Sequence, residues 1–318
     1  MPVSPHHVRG HLLALWVGLA LWPAGAGTPN LPAKARAQMF RSEVNLVLVR
    51  ASVTDRRNRF VPGLEKEHFR VFEDKVEQDI AYFERDAGPV SAGILLDVSG
   101  SMRGPFGLAR QAVRRFLESG GPGDEFFLAT FNEKVSLDLD FTPRTPEVLG
   151  RAALRPPAGR TALYDAVYMG LEKIKDARHQ RRVLVVISDG GDNSSRYSVK
   201  EVEELARESS AQVYLIAPQK GPAEKAAENI VIGHEKSVVQ SLADLTGGRA
   251  FFPESLNDLD YYIDHIQDEL RHQYMLGYHP TNRDHDGRWR RLRVRLSPPE
   301  GLTRLAVRAR EGYYGQRK

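Results

Sequence analysis

The sequence predicts an α/β protein: a doubly wound, mostly parallel sheet, accompanied by a smaller β-rich, sandwich-like unit built from both ends of the chain. Three observations predict it. Short continuous apolar runs recur at Gly93-Ile94-Leu95-Leu96, Phe126-Phe127-Leu128-Ala129, Val183-Leu184-Val185-Val186-Ile187 and Val213-Tyr214-Leu215-Ile216, as expected of strands buried on both faces. Amphipathic helical patterns separate these runs, and strand then helix in repetition means a mostly parallel sheet with helices on both sides. Strand-like stretches without intervening helices lie before Val90 and after Leu270. Neither group can bury much alone, so the two are expected to pair.

Taken in order, residues 1–26 are unlike the rest. Arg9 precedes the apolar run Leu12–Trp22, and Ala24-Gly25-Ala26 follows in small-x-small order. This is the layout of a secretory signal peptide cut after Ala26, which predicts a secreted or periplasmic chain. The run is too short to span a bilayer comfortably, and no later stretch is long and apolar enough, so no stable membrane span is expected in the mature chain. The chain has no cysteine, so neither disulfides nor a lipid anchor on an N-terminal cysteine is available. A net charge of +4 is too small to argue for nucleic acid, and no such partner is expected.

A linker over 27–40 leads to an N-terminal β segment over 41–89. Val44–Thr54 is rich in β-branched residues. Asp55-Arg56-Arg57-Asn58 and Pro62-Gly63 read as turns. Phe69–Glu73 and Ile80–Phe83 alternate apolar and polar. The α/β domain is expected over 90–272. Leu108, Ala112 and Phe116 with Ala109, Val113 and Leu117 form one helical stripe. Val135, Leu137 and Leu139 suit an edge strand or hairpin, and Ala162–Lys173 reads as helix. Ser198 to Glu201 is a capping box, and Val238, Leu242 and Leu245 continue the helical theme. Leu259, Tyr262, Ile263, Ile266 and Leu270 mark a long amphipathic helix. The C-terminal β segment over 273–318 offers strands at Tyr274–Tyr278, Arg290–Leu296 and Leu305–Arg310, predicted to pair with 41–89.

Ligands of such sheets bind outside the carboxyl ends of the strands, and two chemically suggestive segments fall there. Asp97-Val98-Ser99-Gly100-Ser101 leaves the first buried strand, so one carboxylate and two hydroxyls can converge, with Gly100 relaxing the backbone between them. Asp189 follows the third run. Thr161 opens the helical run after Gly159-Arg160. Taken singly, each has an ordinary structural reading: Ser99 a turn residue, Thr161 a helix N-cap, Asp189 a turn former. Their joint order at strand ends favours a metal site on Asp97, Ser99, Ser101, Thr161 and Asp189. Five oxygen groups without a soft ligand specify a hard cation, Mg2+ first, with Mn2+ or Ca2+ as alternatives. Only two of the five groups are charged, which leaves the ion weakly neutralised and with an exchangeable position for a partner's carboxylate.

With these motifs in place, the chain resembles the von Willebrand factor A domain family over Val90 to about Leu270. Its DxSxS, Thr and Asp positions match the metal-ion-dependent adhesion site, and Gly159–Asp165 and Ile187–Gly191 are also similar to family phrases. The resemblance implies a Rossmann-like sheet. It also implies Ser99 and Ser101 as direct ligands, Thr161 as the conformation-dependent one, and Asp97 and Asp189 acting directly or through water. The flanks resemble a bacterial secreted subgroup. There, a leader like Val61-Pro62-Gly63-Leu64…Phe69…Val71-Phe72-Glu73-Asp74 precedes the domain, and a tail like Tyr274–Tyr278…Gly312-Tyr313-Tyr314 follows it.

Other polar residues carry plainer expectations. Asp165 suits the first turn of a helix, where the dipole favours a carboxylate, with support of the metal ligands from behind as the alternative. Asp192 and Asn193 are loop residues near the site. His265, His272, His279 and His285 lack zinc spacing and are expected to be solvated or capping. Arg291, Arg293 and Arg295 alternate with Leu292, Val294 and Leu296, as on a solvated sheet face that discourages edge pairing, with an anionic partner for the basic face as the alternative. The expected function is a non-enzymatic, cation-dependent module for adhesion or assembly, binding a protein or peptide through an acidic side chain. A metal-assisted hydrolase and a purely structural envelope protein are the alternatives. The first lacks any Gly-x-Ser-x-Gly or HExxH motif.

Overall fold

The computed structural model describes residues 46–317 apart from 87, 153–155, 219–230, 298, 300 and 303. The expected leader at 1–26 and linker at 27–40 lie outside the described residues. The chain opens with strands β1 (Val47–Thr54), β2 (Phe69–Glu73), β3 (Val76–Gln78) and β4 (Ile80–Asp86). Next come β5 (Val90–Asp97), α1 (Phe106–Glu118), β6 (Glu125–Phe131), β7 (Val135–Thr142), α2 (Thr145–Ala152) and α3 (Leu163–Lys173). They are followed by β8 (Arg181–Ile187), α4 (Val199–Glu208), β9 (Gln212–Ile216), α5 (Val231–Thr246), β10 (Ala250–Phe251) and α6 (Leu256–Arg271). Strands β11 (Gln273–Tyr278), β12 (Trp289–Leu296), β13 (Ala306–Ala309) and β14 (Gly312–Tyr314) close the order.

The apolar runs become a six-stranded sheet in the order β10-β9-β8-β5-β6-β7. Its pairings are parallel except that between β6 and β7. Strand β5 is apolar throughout its middle because both faces are covered. Ala92, Ile94 and Leu96 pack with Ala112 and Phe116 of α1 and Ile263 and Ile266 of α6. Leu95 faces the opposite core, with Leu184, Val186, Ala166 and Leu171 of α3, and Val202 of α4. Gly93 is small for a steric reason, since a Cβ there would lie 2.2 Å from Cζ of Phe127. The capping box at Ser198 and Glu201 starts α4 as expected. Helix α2 and the short strands β3, β10 and β14 were not expected from the sequence. Among the described residues, no helix is long and apolar enough to cross a membrane.

The flanking strands form two antiparallel four-stranded sheets, β13-β1-β11-β4 and β14-β12-β2-β3. They share one core, to which Val49, Phe69, Val71, Tyr274, Leu276 and Val294 contribute. Strands β4 and β11 pair with Asp86 opposite Gln273. The last strand before the α/β region and the first after it are thus neighbours, so that region hangs from a closed two-strand stem.

A buried polar knot joins the same two halves of the chain. Glu73 and Arg290 are 2% and 3% exposed, and Arg290 Nη1 donates to Glu73 Oε1 at 3.2 Å. The hydroxyls of Tyr278 and Tyr313 both donate to Glu73 Oε2 at 2.7 Å. Leu292 and Val294 are buried while Arg291, Arg293 and Arg295 face outward, as the alternation predicted. His265 departs from expectation. It is buried against Phe60, because α6 docks on the loop after β1. His272 does end its helix, with Nδ1 2.8 Å from the Asp268 carbonyl oxygen.

Candidate metal centre

Strand β5 lies between β6 and β8, so successive connections leave it toward opposite sides and open a crevice at the carboxyl ends. Asp97 is the last residue of β5, and Ser188 and Asp189 follow the last residue of neighbouring β8. Parallel pairing of these strands therefore brings the two aspartate-bearing loops to one edge.

Asp97 is fully buried. Its Oδ1 accepts from the Ser99 amide at 2.8 Å, and its Oδ2 from the Ser188 hydroxyl at 2.6 Å. Burial pushes this carboxyl up to about 6; hydrogen bonds from Ser188 and Ser99 oppose the shift, and the charge of Asp189 adds to it. Ser188 was not singled out from the sequence. It reads as one more strand-end serine, and only strand adjacency shows that it donates to Asp97. The hydroxyls of Ser99, which is buried, and Ser101, which is exposed, lie 3.0 Å apart.

The loop carrying Thr161 is laced to both others. The Gly100 amide donates to the Gly159 carbonyl at 2.9 Å, and the Ala158 amide to the Val98 carbonyl at 2.8 Å. The role of Gly100 is thus close approach, since a Cβ there would meet Gly159 O at 3.2 Å. Gly159 has φ +84°, the left-handed region that favours glycine. Thr161 is buried. Its amide donates to Asn193 Oδ1 at 2.9 Å and its carbonyl accepts from the Asn193 amide at 2.9 Å. Thr161 is not the N-cap of α3. That position is Ala162, which supplies no side-chain cap.

Helix α3 is instead capped from the loop after β8. The amides of Tyr164 and Asp165 donate to Asp192 Oδ1 and Ser195 Oγ at 3.3 and 3.1 Å. In return, the Asp165 carboxylate accepts from the amides of Arg196 and Tyr197 at 2.8 and 3.0 Å and from Arg196 Nε at 3.1 Å. Burial alone would raise this carboxyl, but the bonds from Tyr197 and Arg196 prevail and hold it below its ordinary value. Tyr168 of α3 stacks on Tyr197 with ring centroids 3.8 Å apart. Asp165 thus fastens the loop that carries Asp189, a tertiary task that first-turn placement did not reveal.

Among the described residues, no three or more His, Cys, Asp or Glu cluster to hold a metal. The candidate set draws three of its five groups from hydroxyls. Two carboxylates with hydroxyl oxygens suit a hard divalent cation and not a soft one. Asp97, removed from water beside a second carboxylate, is the kind of charge that such a cation offsets.

Residues 93–191 match the family model of the von Willebrand factor type A domain. The matched stretch contains all five candidate residues. No curated protein matches the chain. Among solved structures, a von Willebrand factor type A protein from Catenulispora acidiphila is 10% identical with TM-score 0.47, over 88% of this chain and 76% of its own. An aerotolerance-related membrane protein from Bacteroides fragilis is 16% identical with TM-score 0.45, over 57% and 98%. Proximal thread matrix protein 1 from the mussel byssus, with a zinc-occupied MIDAS motif, is 17% identical with TM-score 0.48, over 62% and 48%.

Proposed function

We propose that this is an exported, divalent-cation-dependent protein-binding module of adhesion or assembly type, with the cation held by Asp97, Ser99, Ser101, Thr161 and Asp189. The observation that carries the reading is the pair of hydroxyls of Ser99 and Ser101, 3.0 Å apart, beside buried Asp97 at the common end of β5 and β8. A Mg2+, Mn2+ or Ca2+ ion held there would supply an open position for a carboxylate on a protein or peptide partner. The chain's own residues do the rest. Asp97 and Asp189 provide negative charge, Ser188 and the Ser99 amide orient the Asp97 carboxylate, and Asn193 clamps the backbone of Thr161. Export rests on the leader pattern at residues 1–26.

The test is calorimetric titration of the full chain with Mg2+ and with Mn2+, followed by capture of carboxylate-bearing peptides with and without chelator. Saturable cation binding is expected in the native chain, with at least a tenfold loss in Ser99→Ala and in Asp189→Asn at unchanged far-UV circular dichroism. Cation binding that survives both substitutions, or capture indifferent to chelator, would count against the proposal.

A further inference from the structure

Strand β12 turns Leu292 and Val294 toward the core of the β unit and Arg291, Arg293 and Arg295 toward solvent, where all three are exposed. In its sheet β12 lies between β14 and β2, not at an edge, so protection of an open edge does not account for these arginines. Alternate residues of a strand stand roughly 6.6–6.8 Å apart. The sheet therefore holds the three charges in an even row about 13 Å long.

The carboxylates near this row are already engaged. Register sets Arg293 against Phe72 and Arg295 against Arg70 of β2, and like charges directly opposite destabilise a sheet. Glu77 of β3 stands opposite Phe72, but its Oε1 accepts from Arg70 Nη1 at 2.8 Å. Asp74 Oδ1 accepts from the backbone amide of Arg291 at 2.9 Å. Among the described residues, the guanidiniums of Arg291 and Arg293 have no hydrogen-bonded or ionic partner. That of Arg295 lies over the Phe72 ring, 5.0 Å from its centroid.

We propose that this face binds an acidic segment of a protein partner, held extended so that carboxylates on alternate residues meet Arg291, Arg293 and Arg295. An extended chain repeats its side chains on one side with the same step of roughly 6.6–6.8 Å, so one register serves the whole row. Each guanidinium offers a carboxylate a planar fork of donors. The aromatic rings of this face do not favour nucleic acid, which is held by stacking bases on open rings. Phe72 carries Arg295, and Trp289 packs on Tyr314 and under the Arg207 guanidinium at 5.6 Å. None of the candidate cation residues lies on β2 or β12, so this contact requires no metal and is additional to the function proposed above.

The experiment is fluorescence anisotropy of a labelled peptide of alternating Glu and Thr, titrated with the full chain in chelator. Saturable binding is expected, weakening as NaCl rises from about 50 to about 200 mM because salt screens exposed charges. An exposed ion pair contributes a factor of about five at most, so Arg293→Gln and Arg291→Gln should each lose up to about fivefold in affinity and the double variant more. All three should keep the native far-UV circular dichroism. Arg110→Gln, on the exposed face of α1, should bind as the native chain does. A peptide of the same composition with its glutamates in one block should bind more weakly. Four results would overturn the proposal: no saturable binding, affinity unchanged in the double variant, equal binding of the block peptide, or tighter binding of oligothymidylate or phosphatidylglycerol vesicles. Chelator keeps any cation out of the measurement, so none of these results bears on the candidate metal centre.

Discussion

Glu73→Gln should loosen the β unit with little change in side-chain volume. The substitution removes the carboxylate that faces Arg290 while leaving an amide oxygen for one of the two tyrosine hydroxyls. Breaking a buried ion pair from one side costs about 3–5 kcal/mol, because the remaining charge stays buried without its partner. The lower end applies here. Arg290 keeps its bonds to the carbonyls of Asn282 and Asp284 at 2.7 and 2.5 Å, and Asp286 lies 3.6 Å away. About 3 kcal/mol at a urea slope of about 3 kcal/mol per M moves the unfolding midpoint by ~1 M. Trp289 is the only tryptophan after residue 26 and neighbours Arg290 on β12, where it packs edge-on to Tyr314 with centroids 5.2 Å apart. Its fluorescence therefore reports on this unit. A midpoint shift below ~0.3 M, corresponding to less than ~1 kcal/mol, would refute the view that Glu73 holds the two ends of the chain together.

Two further predictions concern the α/β region. Gly93→Ala places a Cβ 2.2 Å from Phe127 Cζ and 2.9 Å from Leu184 Cδ1. Both neighbours are fully buried, so overpacking should cost about 1–3 kcal/mol by urea denaturation. His265 is held down to about 4, against an ordinary 6.5, by burial and then by the charges of Arg249 and Arg308. The unfolded chain therefore binds the proton more readily between those values. Stability from this group is present above pH 6.5 and is lost as the pH falls toward 4. His265→Asn should lose less stability over that window than the native chain does, as read by urea midpoints at several pH values.

Some of this architecture was legible because local patterns are governed by burial. The run Gly93–Leu96 could be read as a two-faced strand, and Ser198 with Glu201 as a helix start, because each signal sits within a few residues. The expectation that the terminal strands pair was an inference from insufficiency, and β1 beside β11 has the physical form it required. Short elements were not legible. Strand β10 has two residues and exists only because β9 lies beside it, and α2 spans eight residues. His265 was misread because neighbours supplied by another part of the chain, not its own helix position, bury it.

The five oxygens proposed for the cation were nameable from residue order, since DxSxS, Thr and Asp each fall beside a recognisable strand or helix. Their support was not. That Ser188 donates to Asp97, that Asn193 brackets Thr161, and that Asp165 fastens the loop carrying Asp189 depend on β5 and β8 lying side by side. Residue identity determines which groups can donate, accept or carry charge. Which of them meet is decided by strand adjacency and by the closed stem of β4 and β11, because hydrogen bonds and ion pairs act over a few ångströms of space and not over distance along the chain.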